Sequence, residues 1–162
     1  MGVRVANRVI AGVLALSLLM LMPVGEAEAR YPGGMGIGVG TATKASGLSL
    51  KFPAGPSAFQ VTAGCRSSSC SGVAAAFDFL ASMPPLVTGE PVQLAWNLGG
   101  GVAVGVGDDH LGLAGAFVMG LEVAFQPVPL ELVFEWRPNL RVIPDISGPS
   151  FSSFGGHFRI YF

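Results

Sequence analysis

Hydrophobic and polar residues alternate with a period of two along much of the chain after residue 30. The clearest segment is 130–137, whose apolar and charged side chains occupy alternate positions: Leu130, Leu132, Phe134 and Trp136 against Glu131, Glu135 and Arg137. Successive side chains of a strand point to opposite faces, whereas a helix would scatter these charges around its axis. The segment therefore predicts a strand with one large apolar face and one polar face.

Seven further segments repeat this alternation, so the chain has eight predicted strands. The further segments are 36–40, 48–52, 59–63, 77–79, 92–98, 117–125 and 154–162. The seven breaks between strands carry turn-forming residues such as Gly, Pro, Ser and Asp, and they fall at 43–46, 53–56, 65–70, 84–91, 107–110, 126–129 and 144–149. An even number of strands joined in this way predicts an all-β fold, an eight-stranded antiparallel up-and-down β-barrel.

The size of the side chains on each face predicts which face is inside. A soluble barrel points its large apolar side chains inward, whereas a membrane barrel points them at lipid and keeps a polar lumen. Only two lysines, Lys44 and Lys51, follow residue 30, too few for a solvated polar face. We therefore predict a transmembrane barrel whose lipid-facing residues include Trp96, Phe117, Phe125, Phe134, Trp136, Phe158, Ile160 and Phe162. The predicted polar network of its lumen comprises Lys51, Gln60, Asp78, Gln93, Asn97, Glu122, Glu131, Glu135, Arg137, His157, Arg159 and Tyr161.

The first 29 residues have the pattern of a cleaved signal peptide. Arg4 and Arg8 precede an apolar run over residues 9–22, and residues 27–29 supply the small side chains of a cleavage site. The alternative is an uncleaved anchor, but the run is shorter than the roughly 20 residues of a spanning helix. Residues 30–162 then form one barrel domain. Cys65 and Cys70 are expected to form a disulfide in an oxidising compartment, with free thiols as the alternative.

Composition and motifs exclude several functions. The net charge of -1 provides no basic surface for nucleic acid, and 51% hydrophobic with 12% charged residues is unlike a disordered chain. No nucleotide-binding or hydrolase motif occurs. Side chains nearly fill the interior of an eight-stranded barrel, so we expect no open pore.

Two groups of residues are candidates for chemistry. Asp108-Asp109-His110 could chelate a cation, but a hydrated turn is the commoner role of such residues. His157 could form an acid/base pair with Glu131 or Glu135, but inward polar residues of a small barrel usually pack the lumen. The predicted strands offer His157 no serine partner. We therefore expect no catalytic residue, no cofactor and no metal site.

The end of the chain resembles the final strand of Gram-negative outer-membrane β-barrel proteins. Residues 155–162 alternate apolar positions and end on the aromatic Phe162. With the signal peptide and the strand count, this ending is similar to the small OmpA/OmpX-type barrels. Residues 129–135 also resemble a Pro-Leu-Glu-Leu-aromatic-Glu pattern of an uncharacterised outer-membrane barrel family. The resemblance implies that periplasmic chaperones and the barrel assembly machinery recognise the last strand.

These observations predict a monomeric barrel of the cell outer membrane, with a structural or surface-interaction role and no enzymatic one. Outer-membrane lipid is its expected partner. One alternative is a soluble periplasmic or secreted lipocalin-like barrel whose apolar face lies inside and binds a small apolar ligand. A second is a lipid-modifying outer-membrane enzyme. With a periplasmic N-terminus, the connections near Thr43, at 65–70, at 107–110 and at 144–151 would face outward.

Overall fold

A computed structural model of the chain describes residues 34–66, 70–107, 110–125, 128–143 and 148–162, and all regular structure in these ranges is β-strand. The strands are β1 (Gly36–Ala42), β2 (Ala45–Ala54), β3 (Ser57–Cys65), β4 (Gly72–Ser82), β5 (Val92–Gly107), β6 (His110–Phe125), β7 (Leu130–Trp136), β8 (Asn139–Ile143) and β9 (Phe154–Tyr161). No helix in the described ranges is long and apolar enough to cross a bilayer. The predicted signal peptide lies outside the described residues.

The strands close into one antiparallel barrel. Consecutive strands from β1 to β6 pair as hairpins, β6 pairs with both β7 and β8, and β9 pairs with β7 and β1. Because β7 and β8 follow each other along the same edge of β6, they occupy a single position in the barrel wall. The eight-stranded up-and-down barrel predicted from the sequence is therefore confirmed.

The wall position shared by β7 and β8 is interrupted at Pro138. Proline has no backbone N–H to donate to a neighbouring strand, so it ends a regular ladder. The backbone N–H of Arg137 donates instead to the carbonyl of Ser153, and Asn139 exchanges two backbone hydrogen bonds with Ser150. The sequence pattern predicted the strand over 130–137 and assigned no strand to the residues of β8.

β5 and β6 are longer than predicted, at 16 residues each. The predicted alternation reached only Leu98 in β5 and began only at Phe117 in β6, with the break between the two strands placed at 107–110. In the barrel the run Gly99–Gly101 continues β5, since β4 and β6 pair with it on both sides. β1 and β9 have only 7 and 8 residues. The wall is therefore tall on the β5–β6 side and short beside β1.

Two ends of the barrel can be distinguished. The disulfide end carries the β1–β2 turn, the β3–β4 loop and the end of the β5–β6 hairpin; the terminal end carries Phe162 and the connection between β4 and β5. The expected disulfide between Cys65 and Cys70 is confirmed, with Cα atoms 4.8 Å apart.

The turn between β2 and β3, at the terminal end, contains Gly55. This residue has a φ of 62°, a conformation that glycine adopts without steric cost.

Charged and large apolar side chains are separated by the wall. In the nine strands the charged side chains that the structure describes all point inward, into the lumen or its mouth, at Lys51, Asp78, Glu122, Glu131, Glu135, Arg141 and Arg159, as does the imidazole of His157. Large apolar side chains occupy the alternate, outward positions, where Phe134 is 59% exposed and Val102 56%. The charged side chains of the described strands thus line the interior of the barrel or its mouth.

Candidate functional site

The candidate site is a polar network that fills the middle of the lumen. Its members come from alternate positions of β2 to β7 and β9, so the period of two that forms the strands also brings these side chains together. The buried members among the twelve predicted residues are Lys51, Gln60, Asp78, Asn97, Glu122, Glu131, Glu135, Arg137, His157, Arg159 and Tyr161. The twelfth, Gln93, is half-buried near the terminal end of β5.

Lys51 and Arg159 organise the half of the network nearer the terminal end. The Lys51 Nζ atom lies 2.7 Å from Glu122 Oε1 and 2.8 Å from Glu131 Oε1. Arg159 Nη1 donates to Glu131 Oε2 at 2.8 Å, and the Tyr161 hydroxyl donates to the same oxygen at 2.9 Å. Both oxygens of Glu131 are therefore satisfied, which a buried carboxylate requires.

Arg137 organises the half nearer the disulfide end. Its Nη2 atom lies 2.7 Å from Asp78 Oδ1 and its Nη1 atom 2.6 Å from Glu135 Oε2. The Nε atom donates to the hydroxyl of Thr43, in the β1–β2 turn, at 3.0 Å. This guanidinium is fully buried, and removing one partner of such a pair leaves an uncompensated charge.

Gln60 joins the two halves. Its amide nitrogen donates to Asp78 Oδ2 at 3.1 Å and to Glu135 Oε1 at 3.0 Å, and its amide oxygen accepts from Arg159. One neutral side chain thus bridges two acids of one half and a cation of the other. The network is continuous from Tyr161 to Thr43, along the lumen.

Glycines on the inward face provide the space for these long side chains. A Cβ atom on Gly101 would lie 2.0 Å from Asp78 Oδ1, and one on Gly40 would lie 2.1 Å from His157 Nδ1. Both distances are far below a normal contact. The glycine-rich segments of β1 and β5 are therefore complementary in size to the charged residues that face them.

His157 has two polar partners, one of which the sequence did not predict. Its Nε2 atom lies 3.1 Å from Glu135 Oε2, and its Nδ1 atom lies 3.0 Å from the hydroxyl oxygen of Ser49. The expectation that His157 lacks a serine partner is thus wrong: Ser49 lies on β2, which does not pair with β9, and the closed lumen brings the two together. A serine, a histidine and a carboxylate in this order resemble a hydrolase triad.

The Ser49–His157–Glu135 arrangement is closed to substrates. Ser49 is completely buried, and its hydroxyl oxygen also accepts a hydrogen bond from Arg159 Nε at 2.9 Å. A nucleophile needs an adjacent space in which a reacting carbonyl can sit. The cavity at the disulfide end has neither Ser49 nor His157 in its lining. All three side chains are therefore enclosed within the lumen network.

The eight residues predicted to face lipid all point away from the lumen. Phe134, Phe158, Ile160 and Phe162 are exposed, and Trp96, Phe117, Phe125 and Trp136 are half-buried by their neighbours on the same face. Aromatic side chains also pack on each other there, with ring centroids 5.7 Å apart for Phe134 and Phe154. The indole N–H of Trp136 donates to the Phe151 carbonyl at 2.8 Å.

The remaining candidate, Asp108-Asp109-His110, is not described: both aspartates and the His110 side chain lie outside the described residues. In the rest of the chain, no three His, Cys, Asp or Glu side chains are grouped so as to hold a metal ion. No protein-family model matches the chain, and the comparisons with curated proteins and with solved structures found no match either.

Proposed function

We propose that the protein is an exported integral β-barrel of the outer membrane, with a structural or surface-interaction role and no catalytic one. The observation that carries this proposal is the inverted distribution of polarity. The ion pairs of Arg137 and Arg159 are buried in the lumen, while Phe134 and Ile160 are among the large apolar side chains exposed outside. Lipid is the surrounding in which such an exterior is stable, because apolar surface in water is unfavourable.

Closure of the barrel supports this proposal. In a bilayer every backbone N–H and C=O group in the wall needs a partner within the protein. The ladder runs without an unpaired edge from β1 through β6 to β7 and β9. β5 and β6, at 16 residues, exceed the roughly 9–11 residues that a tilted strand needs to cross.

The soluble lipocalin-like alternative fits the interior less well. A barrel that binds a small apolar ligand needs an apolar cavity in its middle. Here the middle holds Lys51, Arg137 and Arg159 with their carboxylate partners, all buried. An apolar ligand there would have to displace charge-assisted hydrogen bonds without replacing them.

A lipid-modifying enzyme is the other alternative. The Ser49–His157–Glu135 geometry is the one feature that favours it, and the burial of Ser49 opposes it. If the arrangement opens during turnover, labelled phospholipid or lipopolysaccharide would be hydrolysed by the native protein and not by Ser49→Ala or His157→Ala. We expect no turnover by the native protein or by either variant.

Cell fractionation with gel mobility tests the proposed location. Expressing cells are separated into periplasmic, inner-membrane and outer-membrane fractions, and each fraction is run on a denaturing gel with and without boiling. We expect the protein in the outer-membrane fraction, with a mobility that changes on boiling, because a closed barrel resists detergent. Recovery as a soluble periplasmic or secreted protein would contradict the proposal.

A further inference from the structure

A cavity lies in the lumen at the disulfide end, beyond the polar network. Its volume is about 240 Å³. The walls are made of small residues from β4, β5 and β6, among them Ala74, Ala103, Gly105, Gly112 and Ala114. These small side chains leave the lumen open at the disulfide end, whereas long side chains fill the middle of the barrel. We call this opening the mouth cavity; it lies between the polar network and the disulfide end.

Three cations from separate elements line this mouth cavity. Lys44 belongs to the β1–β2 turn, Arg66 directly follows β3, and Arg141 lies on β8; Thr43 and Asn139 are the uncharged polar residues of the lining. Among the described residues no carboxylate lines the cavity, and the ion pairs all belong to the lumen network. The cavity is thus a concentration of positive charge in a protein whose net charge is -1.

Two of the cations are held in position by the fold. Arg66 Nη1 donates to the Gly107 carbonyl at 3.3 Å, and the Arg66 backbone N–H donates to Gly72 O at 2.9 Å, in the loop that the disulfide closes. Lys44 has a φ of 71° and the preceding Thr43 a φ of 28°. Residues other than glycine seldom adopt these values, and a β-branched threonine least of all. The hydrogen bond from Arg137 to the Thr43 hydroxyl keeps the turn in this conformation.

The three charges are close enough to affect one another. Burial, followed by the positive charges of Arg141 and Arg66, lowers the pKa of the Lys44 ammonium below its ordinary value of 10.5. A negatively charged ligand between these groups would relieve the repulsion.

We propose that the mouth cavity binds a phosphate group through Lys44, Arg66 and Arg141. Phosphate is the anion whose charge and several acceptor oxygens suit three cations that line one cavity. The cavity has room for the phosphate and a small substituent. The group can belong to a soluble phosphate monoester or to the headgroup of a lipid, and the experiment separates the two. The inference depends on the cavity and not on the proposed membrane location.

Chemical labelling of Lys44 provides a direct measurement. Lys44 and Lys51 are the only lysines of the chain, and Lys51 is buried between two glutamates. The purified folded protein is acetylated with limiting acetic anhydride, and the labelled peptides are quantified by mass spectrometry. We expect inorganic phosphate or glycerol 3-phosphate to slow labelling of Lys44 at least tenfold, while chloride at the same ionic strength has no such effect. Lys51 is expected to stay unlabelled throughout, which shows that the barrel remains folded during the reaction.

Variants identify the groups that bind. Arg66→Gln and Arg141→Gln are each expected to weaken phosphate binding about tenfold or more, as loss of a charge-assisted hydrogen bond should. Glu90→Gln, in the exposed connection at the opposite end, is the control with unchanged affinity. Folding of each variant is checked by the boiling-dependent gel shift.

Reconstitution separates the two sources of phosphate. Protein is placed in vesicles of phosphatidylcholine alone or with phosphatidylglycerol. Protection of Lys44 by anionic vesicles and not by soluble phosphate assigns the site to a lipid headgroup; the reverse assigns it to a soluble monoester. Unchanged labelling in every case, or equal binding by the double variant R66Q/R141Q, would overturn the proposal. The proposal would also be overturned if phosphate bound only to the double variant Asp108→Asn/Asp109→Asn. In that case these two carboxylates would neutralise the cations of the native protein.

Discussion

Arg137 illustrates how single residues are stabilised inside this barrel. Its guanidinium is fully buried and reaches Asp78, Glu135 and the hydroxyl of Thr43 within 3.0 Å. Burying an ion pair costs desolvation energy that only complete pairing offsets. The described lumen residues form ion pairs from three cations, Lys51, Arg137 and Arg159, and four carboxylates, so the loss of one charge affects several neighbours.

Glu135→Gln tests this dependence. The carboxylate accepts from Arg137, Gln60 and His157, and a neutral amide cannot compensate the buried guanidinium. We expect the free energy of unfolding to fall by about 3–5 kcal/mol, as for other broken buried pairs. The measurement is urea unfolding of the folded protein in detergent or vesicles. Glu90→Gln is the matched control, and equal unfolding midpoints for the two variants would show that the lumen network contributes little.

Lys44 gives a prediction of pH dependence. Its pKa is lowered from 10.5 by burial and by Arg141 and Arg66, so between the lowered pKa and 10.5 the unfolded chain holds more of this proton than the folded one. Stability from this group therefore rises with pH across that window. Phosphate requires the charged form, so its affinity should fall as pH rises through the lowered pKa. Lys44→Arg, which stays charged, should bind phosphate with an affinity independent of alkaline pH.

At the scale of the strands, glycine positions determine which long side chains can face each other. β5 contributes Gly101 directly opposite Asp78 of β4, and β1 contributes Gly40 opposite His157 of β9. Glycine weakens a strand in isolation, because it adds no packing and loses more backbone entropy. Pairing on both edges of β1 and β5 offsets this loss and leaves the lumen free for the polar network.

Gly101→Ala should disrupt the network through β5. Its Cβ atom would lie 2.0 Å from Asp78 Oδ1 and 2.4 Å from the Phe77 carbonyl oxygen, so the carboxylate would have to move away from Arg137. We expect a loss of about 1–3 kcal/mol in urea unfolding, as for other overpacked interiors. Gly115→Ala in β6 is the control, since nothing lies within 4 Å of its Cβ position. If both variants unfold alike, the space at Gly101 is not needed.

At the scale of the whole barrel, charged side chains of the described strands line the interior and large apolar side chains cover the exterior, and this inversion decides how the protein responds to its surroundings. In water, a charged residue at an exposed position costs little. In a bilayer, arginine at the midplane of the lipid face costs about 2–4 kcal/mol. The two environments therefore make opposite predictions for the same exposed site.

The variant Phe134→Arg tests whether the outward face contacts lipid or water. Phe134 is 59% exposed on the outward face, and Phe134→Leu is the matched apolar control. We expect the arginine variant to give far less folded protein in the outer-membrane fraction than the leucine variant, measured as the band that shifts on boiling. Normal assembly of Phe134→Arg, or a soluble folded protein, would contradict the lipid-facing assignment.

The fold was largely predictable from the local pattern of the sequence. The errors in that prediction have physical causes. Alternation such as that of 130–137 determines which side of a strand each residue occupies, without reference to the rest of the chain. The extension of β5 through Gly99–Gly101 was missed, because glycines have no side chains from which a period can be recognised. β8 was also missed, because no alternation was recognised beyond Pro138, where proline ends the regular ladder.

The sequence by itself determined that the chain forms strands with one polar and one apolar face and that the number of strands suits a closed barrel. Only the tertiary structure decided which polar groups meet. Ser49, His157 and Glu135 lie on β2, β9 and β7, and Lys44, Arg66 and Arg141 are far apart along the chain. Alternation is a property of neighbouring residues, whereas these contacts depend on the register and closure of the whole barrel, which no local pattern specifies.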